Sequence, residues 1–147
     1  MELRFTVRAH ISRPVAAVFE AVVDPAQLSG YFTTGGAQGR LEKGATVSWD
    51  FHDHPGAFPV EVVDVVPNER IVLRWAAQAP PGHTEVTLEF TPVDDDRTLV
   101  TITEGGWESG PDGLTASYGN CMGWSQMLCA LKAYVEYGIN LREGMYV

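Results

Sequence analysis

Apolar residues fall at every second position over Leu3, Phe5, Val7, Ala9 and Ile11, with Arg4, Thr6, Arg8 and His10 between them. That alternation predicts a half-buried first strand. Ser12-Arg13-Pro14 then opens a helix, with Ser12 as its N-cap and Pro14 in the first turn. Val15, Val18, Phe19 and Val22 form the inner face of that helix, and Asp24-Pro25 ends it. A short second helix, about Pro25 to Gly30, leads to Tyr31-Phe32 and a loose Thr-Thr-Gly-Gly stretch.

From there the pattern is almost entirely that of strands. They are predicted near Gly39 to Glu42 and over Ala45 to His52, where Val47, Trp49 and Phe51 alternate with Ser48, Asp50 and His52. Phe58 to Val66 follows, with a register left ambiguous by the doubled valines Val62-Val63 and Val65-Val66. Pro67-Asn68-Glu69 is a turn, Ile71, Leu73 and Trp75 mark the next strand, and Pro80-Pro81-Gly82 the next turn. Val86, Leu88 and Phe90 face inward on the strand after that. Asp94-Asp95-Asp96 caps a hairpin, and Leu99 to Glu104 closes the sheet. A Gly-Gly-Trp turn at Gly105 to Trp107 then leads into one long helix ending near Gly138.

A single long helix after a run of antiparallel strands has to bury its apolar stripe across the concave face of that sheet. The expected fold is α+β: a curved antiparallel sheet of about six to seven strands, two short helices after the first strand, and the long C-terminal helix laid across it. Turning about 100° per residue from Trp124 puts Cys121, Leu128, Leu131 and Val135 on the buried stripe, while Gln126, Lys132 and Glu136 point elsewhere. Toward the N-terminal end the positions under Trp124 are Ser117 and Asn120. Either they line a polar end of an enclosed space, or they serve solvated first turns of the helix.

Three stretches in series carry a family resemblance. They are Ile11-Ser12-Arg13-Pro14-Val15-Ala16-Ala17-Val18-Phe19, then Val65-Val66-Pro67-Asn68-Glu69-Arg70-Ile71-Val72-Leu73-Arg74-Trp75, then Gly123-Trp124 with Leu128, Leu131-Lys132, Tyr134, Glu136 and Gly138. With the order of elements, they resemble the START-like (SRPBCC) superfamily, whose helix-grip fold is also that of Bet v 1, and within it the subgroup related to the activator of the heat-shock protein 90 ATPase. The resemblance implies a cavity between sheet and closing helix for an apolar or amphipathic small molecule. It differs from the usual pattern at Tyr31-Phe32, where Trp-Phe is common, and at Glu104, where a strand often ends in His.

Composition narrows the partners. At 147 residues the chain is expected to be one domain, 1–147, with a core of its own. A net charge of −9 argues against nucleic acid and anionic membrane surfaces. No apolar run approaches a membrane span, and the start of the chain lacks a signal-peptide pattern, so a cytoplasmic location is expected. Cys121 and Cys129, eight positions apart on the predicted helix, would hold their Cα atoms about 12 Å apart, beyond disulfide reach. Two free thiols suit a reducing compartment. A homodimer is an allowed assembly.

Candidate chemistry is sparse. Trp49, Phe51, Phe58, Trp107 and Trp124 are the expected aromatic lining of a pocket, with Ser117, Tyr118, Asn120, Cys121 and Glu104 as its further ligand-binding candidates. Trp75 and Phe90 read at least as readily as core as they do as lining. Glu104 continues the parity of Val100 and Ile102, which aims a carboxylate inward and makes it the one candidate catalytic group, alone or with Tyr118 or His52; a bulge at Gly105-Gly106 would instead turn it to solvent. His52 and His54 flank Asp53 with the spacing of a metal pair, but no third ligand is evident and the segment reads as a polar turn. His10 and His83 read as surface residues. No nucleophile elbow, phosphate loop or dinucleotide fingerprint occurs, and neither metal nor cofactor is implied.

Binding of a hydrophobic or amphipathic small molecule is therefore the leading expectation. An enzyme of the polyketide cyclase or dehydratase kind, working through Glu104, is the alternative. A chaperone-directed interaction module is a third class, inherited from the subgroup's name alone.

Overall fold

The computed structural model describes residues 1–77 and 82–146, so the turn expected at Pro80-Pro81-Gly82 lies, apart from Gly82, outside the described residues. The elements run β1 (Leu3–Ile11), α1 (Val15–Val23), α2 (Pro25–Leu28), β2 (Gly36–Gln38), β3 (Thr46–Phe51), β4 (His54–Val66), β5 (Arg70–Ala76), β6 (His83–Asp94), β7 (Arg97–Trp107) and α3 (Pro111–Tyr137). The strands form one seven-stranded sheet in the order β1-β7-β6-β5-β4-β3-β2, antiparallel at every pairing. Sheet, paired short helices and closing helix make the α+β helix-grip architecture that the sequence predicts.

Period-two patterning sets the inner face. Thr98, Val100, Ile102 and Glu104 on β7 are all fully buried, as are Ile71 and Leu73 on β5 and Val86 on β6. The doubled valines of β4 are accommodated by a register shift between Val62 and Asp64. One residue is added there, Val63 turns to solvent at 44% exposure, and Val60 and Val62 stay buried.

Four local expectations are corrected. Ser12 does not cap α1: the N-cap is Pro14, with no side-chain cap, and the Ser12 amide donates instead to Glu136. The short second helix stops at Leu28, two residues short of Gly30. Gly39 to Glu42 is not a strand; β2 lies earlier, Gly39 has φ +97°, and the Leu41 amide bonds the Val23 carbonyl. Gly105 to Trp107 is not a turn. Gly106, at φ +117°, forms a bulge opposite the register shift between Leu3 and Arg4, so β7 continues to Trp107, whose indole stacks on Phe5 at 5.8 Å.

α3 approaches β1 and β7 closely, but among the described residues its backbone makes no comparable approach to β3, β4 or β5. Its buried side chains, including Trp124, Met127, Leu128 and Leu131, join one core with α1, α2 and the sheet. The helix ends at Gly138, whose φ of 70° is the left-handed cap geometry that glycine supplies at low cost.

The C-terminal end of α3 is pinned to the β1–α1 corner by a polar latch. The Glu136 carboxylate accepts from the Ser12 amide at 2.9 Å and from Lys132. Arg13 donates to the Glu136 carbonyl at 2.6 Å, and Lys132 to the His10 carbonyl at 3.0 Å. Burial, the largest influence, pushes the Glu136 carboxyl up, but the Lys132 and Ser12 hydrogen bonds and the charges of Lys132 and Arg13 outweigh it. The net effect holds the carboxyl below the usual glutamate range. A carboxyl held low in the folded state stabilises it above the unfolded pKa, and that contribution is lost as pH falls through the folded pKa. Glu136→Gln should therefore lower stability at neutral pH, and the deficit should close on acidification, as read by urea denaturation of both proteins across the acid range.

Candidate functional site

The inward carboxylate of Glu104 is fully buried, and four side chains donate to it. Trp75 Nε1 reaches Oε2 at 2.9 Å and Thr84 Oγ1 reaches the same oxygen at 2.7 Å. Trp124 Nε1 donates to Oε1 at 2.9 Å, and Asn120 Nδ2 lies 3.2 and 3.0 Å from the two oxygens. Two indoles and an amide nitrogen can only donate, which matches the acceptor-only character of an ionised carboxylate. No ion pair to Glu104 is found among the described residues. The charge is held by oriented neutral donors.

Strand register and helical spacing bring these groups together. Trp75 and Thr84 are cross-strand partners on β5 and β6. Glu104 is paired with Val86, two residues along β6 on the same face. Asn120 and Trp124, one helical turn apart on α3, reach down from the opposite layer. One carboxylate thus ties β5, β6, β7 and α3 at a single point.

Beside this cluster, under the part of the sheet that α3 leaves uncovered, is a cavity of roughly 560 Å³. Five of its wall residues form a closed circuit of aromatic rings. Centroids are 5.4 Å apart for Phe32–Trp124, 5.6 Å for Trp124–Trp75, 5.9 Å for Trp75–Phe58, 6.0 Å for Phe58–Phe51 and 5.0 Å for Phe51–Phe32. Two rings of the circuit are the indoles that Glu104 fixes by their N–H groups, so the buried carboxylate sets the orientation of that wall. Gly119, Asn120, Met122 and Gly123 of α3 also line the space, as do Arg142 and Tyr146 of the C-terminal segment. Met122 at 58% exposure and Tyr146 at 41% mark its mouth.

Of the ligand-binding candidates read from sequence, Phe51, Phe58, Asn120 and Trp124 line this cavity. The other six lie elsewhere. Trp49 is buried one layer behind, its ring 5.8 Å from Trp75. Trp107 packs on Phe5. Ser117 is buried, and its hydroxyl donates back to the Leu114 carbonyl at 2.7 Å. Tyr118 is 66% exposed, Cys121 is half-buried on the helix, and Glu104 lies beneath the wall. Trp75, as readily read as core, is a wall residue, whereas Phe90 is core. His52, in the turn between β3 and β4, and His54, the first residue of β4, are both exposed, and no cluster of metal-binding side chains occurs among the described residues. Neither Tyr118 nor His52 is among the hydrogen-bond partners of Glu104.

Phe32, Gly119, Gly123, Arg142 and Tyr146 were not anticipated. The two glycines sit one turn apart on the helix face already carrying Asn120 and Trp124, a periodic signal that was available. Arg142 and Tyr146 follow the helix in an irregular segment with no period to read.

Sheet, closing helix and the cavity between them define a START-like helix-grip protein, and no helix among the described residues is long and apolar enough to cross a membrane. The family model described as "Activator of Hsp90 ATPase homolog 1-like protein" matches residues 12–136, and the chain belongs to that family. Among solved structures it is similar to protein SSP2350 of Staphylococcus saprophyticus, at 26% identity and TM-score 0.78 over 97% of this chain and 96% of that one. It is also similar to DynU16, from the dynemicin biosynthetic locus, at 25% identity and TM-score 0.80; the match covers 95% of this chain but only 49% of DynU16. The Aha1 dimer from Colwellia psychrerythraea, at 22% identity and TM-score 0.76 over 92% and 97% of the two chains, shares the fold. A comparison with curated proteins finds no match.

Trp124→Phe keeps an aromatic side chain but removes one donor to the buried charge, and should cost at least about 1.5–3 kcal/mol in urea denaturation. Glu104→Gln should cost more, because its amide NH2, at either oxygen's position, would face an indole N–H that can only donate. With Glu104 already replaced, the further cost of Trp124→Phe should shrink, a non-additivity that reports the shared bond.

Proposed function

We propose that this chain binds a hydrophobic or amphipathic small molecule in the cavity between α3 and the β3–β5 half of the sheet. The observation that carries the reading is the cavity itself, roughly 560 Å³ and walled by a circuit of aromatic rings. That volume and lining fall in the range of small-molecule sites. Phe32, Phe51, Phe58, Trp75 and Trp124 supply the apolar wall, and Asn120 a polar group.

Gly119 and Gly123 support the reading. Both line the cavity, and a Cβ added at either would meet nothing within 4 Å. Glycine inside a helix is less stable than alanine by about 1 kcal/mol. Two such positions on the cavity face keep room that larger side chains would occupy. Similarity to a protein from a biosynthetic locus accords with a small-molecule ligand.

Binding is favoured over catalysis because Glu104, the carboxylate on which an acid–base role would rest, lies under the wall with both oxygens engaged. A general base must reach the proton it removes. Trp75, Asn120 and Trp124 stand between this one and the cavity.

The test is titration with the neutral fluorophore N-phenyl-1-naphthylamine, followed by its emission and by quenching of Trp75 and Trp124. Saturable binding is expected in the wild type. Gly123→Leu should abolish it while leaving the melting temperature equal or higher, since the leucine fills empty space and improves the helix. No saturable binding by wild-type protein would sink the proposal.

A further inference from the structure

The C-terminal segment contributes one charged side chain to the cavity wall that the fold does not use up. Arg142 is only 8% exposed. Its guanidinium lies 5.4 Å from the Phe32 centroid, 5.1 Å from that of Phe51 and 5.3 Å from that of Tyr146. Two of those rings belong to the aromatic circuit. Among the described residues its one ion pair is with Asp53, through Nη2 at 3.5 Å, and the Asp53 side chain is 31% exposed. Nε and Nη1 are buried and have no hydrogen-bond partner among the described residues. Buried donors of a charged group are normally satisfied, and leaving them unpaired is costly.

Glu104 makes the contrast plain. That charge is buried deeper, and every partner it needs is supplied by the chain. Arg142, at the other side of the same wall, has half its fork idle and the cavity beside it. The other charged or titratable groups lining the space are Asp53, His54 and the Tyr146 phenol. Nothing in the chain's overall charge of −9 favours an anion, so any preference for one must be local.

Resting on the ligand-binding reading above, we infer that Arg142 is the anion-binding subsite of this cavity, and that the ligand is an aromatic or amphipathic carboxylic acid. Its apolar body lies against the rings of Trp75, Trp124 and Phe58. Its carboxylate accepts from the idle Nη1 and shares Nη2 with Asp53, the planar pair at the end of the guanidinium that matches carboxylate geometry. Asp53 competes for the same guanidinium and weakens binding. Tyr146, near the chain end and 41% exposed, is the ring that moves aside to admit the acid group.

The experiment displaces N-phenyl-1-naphthylamine with two probes of one shape, 2-naphthylacetate and its neutral amide, 2-naphthaleneacetamide. Wild-type protein should prefer the acid by about tenfold or more, the scale of a charge-assisted contact. Arg142→Met should bring the ratio of affinities close to one, and Asp53→Asn should raise it several-fold. A wild-type ratio near one, with both probes displacing the fluorophore, overturns the anion subsite and leaves the binding site intact; this outcome needs no variant. A ratio unchanged in Arg142→Met assigns the preference to another group and equally overturns it. If neither the fluorophore nor either probe binds, measured also by direct calorimetry, the binding reading falls and the subsite with it.

Discussion

One buried carboxylate organises this molecule. Glu104 lies inside a protein where an unpaired charge would be prohibitive, yet among the described residues no cation pairs with it. Its stability there requires donors from β5, β6 and α3 to be in place together: Trp75, Thr84, and Asn120 with Trp124. The same requirement fixes the height and rotation of α3 over the sheet, because two residues one helical turn apart must both reach the carboxylate. Hydrophobic burial alone would hold the helix on the sheet with far less directional demand. The hydrogen bonds add a register.

That register explains why the cavity stays open. α3 leans toward β1 and β7, where Leu128 and Leu131 complete the core. Its next face, carrying Gly119 and Gly123, looks over the uncovered strands. Large side chains at those two positions would fill the gap and strengthen the helix. Glycine does neither, so local helix preference is sacrificed where space is kept. The indoles that complete the wall are held by their N–H edges, which presents their apolar faces without the rotation that would let them collapse inward. A rigid polar anchor and a pair of small residues together maintain an apolar space.

Most of this fold is legible in the sequence because it rests on periodicity. The alternation of Leu3 through Ile11, of Val86 through Phe90 and of Val100 through Glu104 places each inner face correctly. The inward aim of Glu104 follows from it, and the same parity carried back to Thr84 and forward to Trp75 would have found two of its donors. What periodicity does not carry is interruption. Gly105-Gly106-Trp107 reads as a turn, yet a single positive φ at Gly106 makes it a bulge inside β7. The site was legible only in part for a related reason. Parity says which face a side chain takes, not how far along the sheet the closing helix lies. Trp49 and Trp107 face inward as expected but sit outside the cavity, while Trp75 lines the wall because α3 leans away from it.

Arg142 lies beyond the reach of any such pattern, since the segment after Gly138 has neither period nor hydrophobic stripe. Its meaning comes from comparison with Glu104 inside the same structure. A charge retained for architecture is surrounded by partners drawn from the chain, and each of its hydrogen-bonding positions is occupied. The charge at Arg142 is enclosed by rings and one distant carboxylate, with two donor nitrogens idle. Both are buried, Glu104 the deeper of the two, but what separates them is satisfaction. A fold that satisfies one buried charge completely and leaves another half-used beside an open cavity has assigned them different tasks, the first to hold the wall and the second to meet what enters.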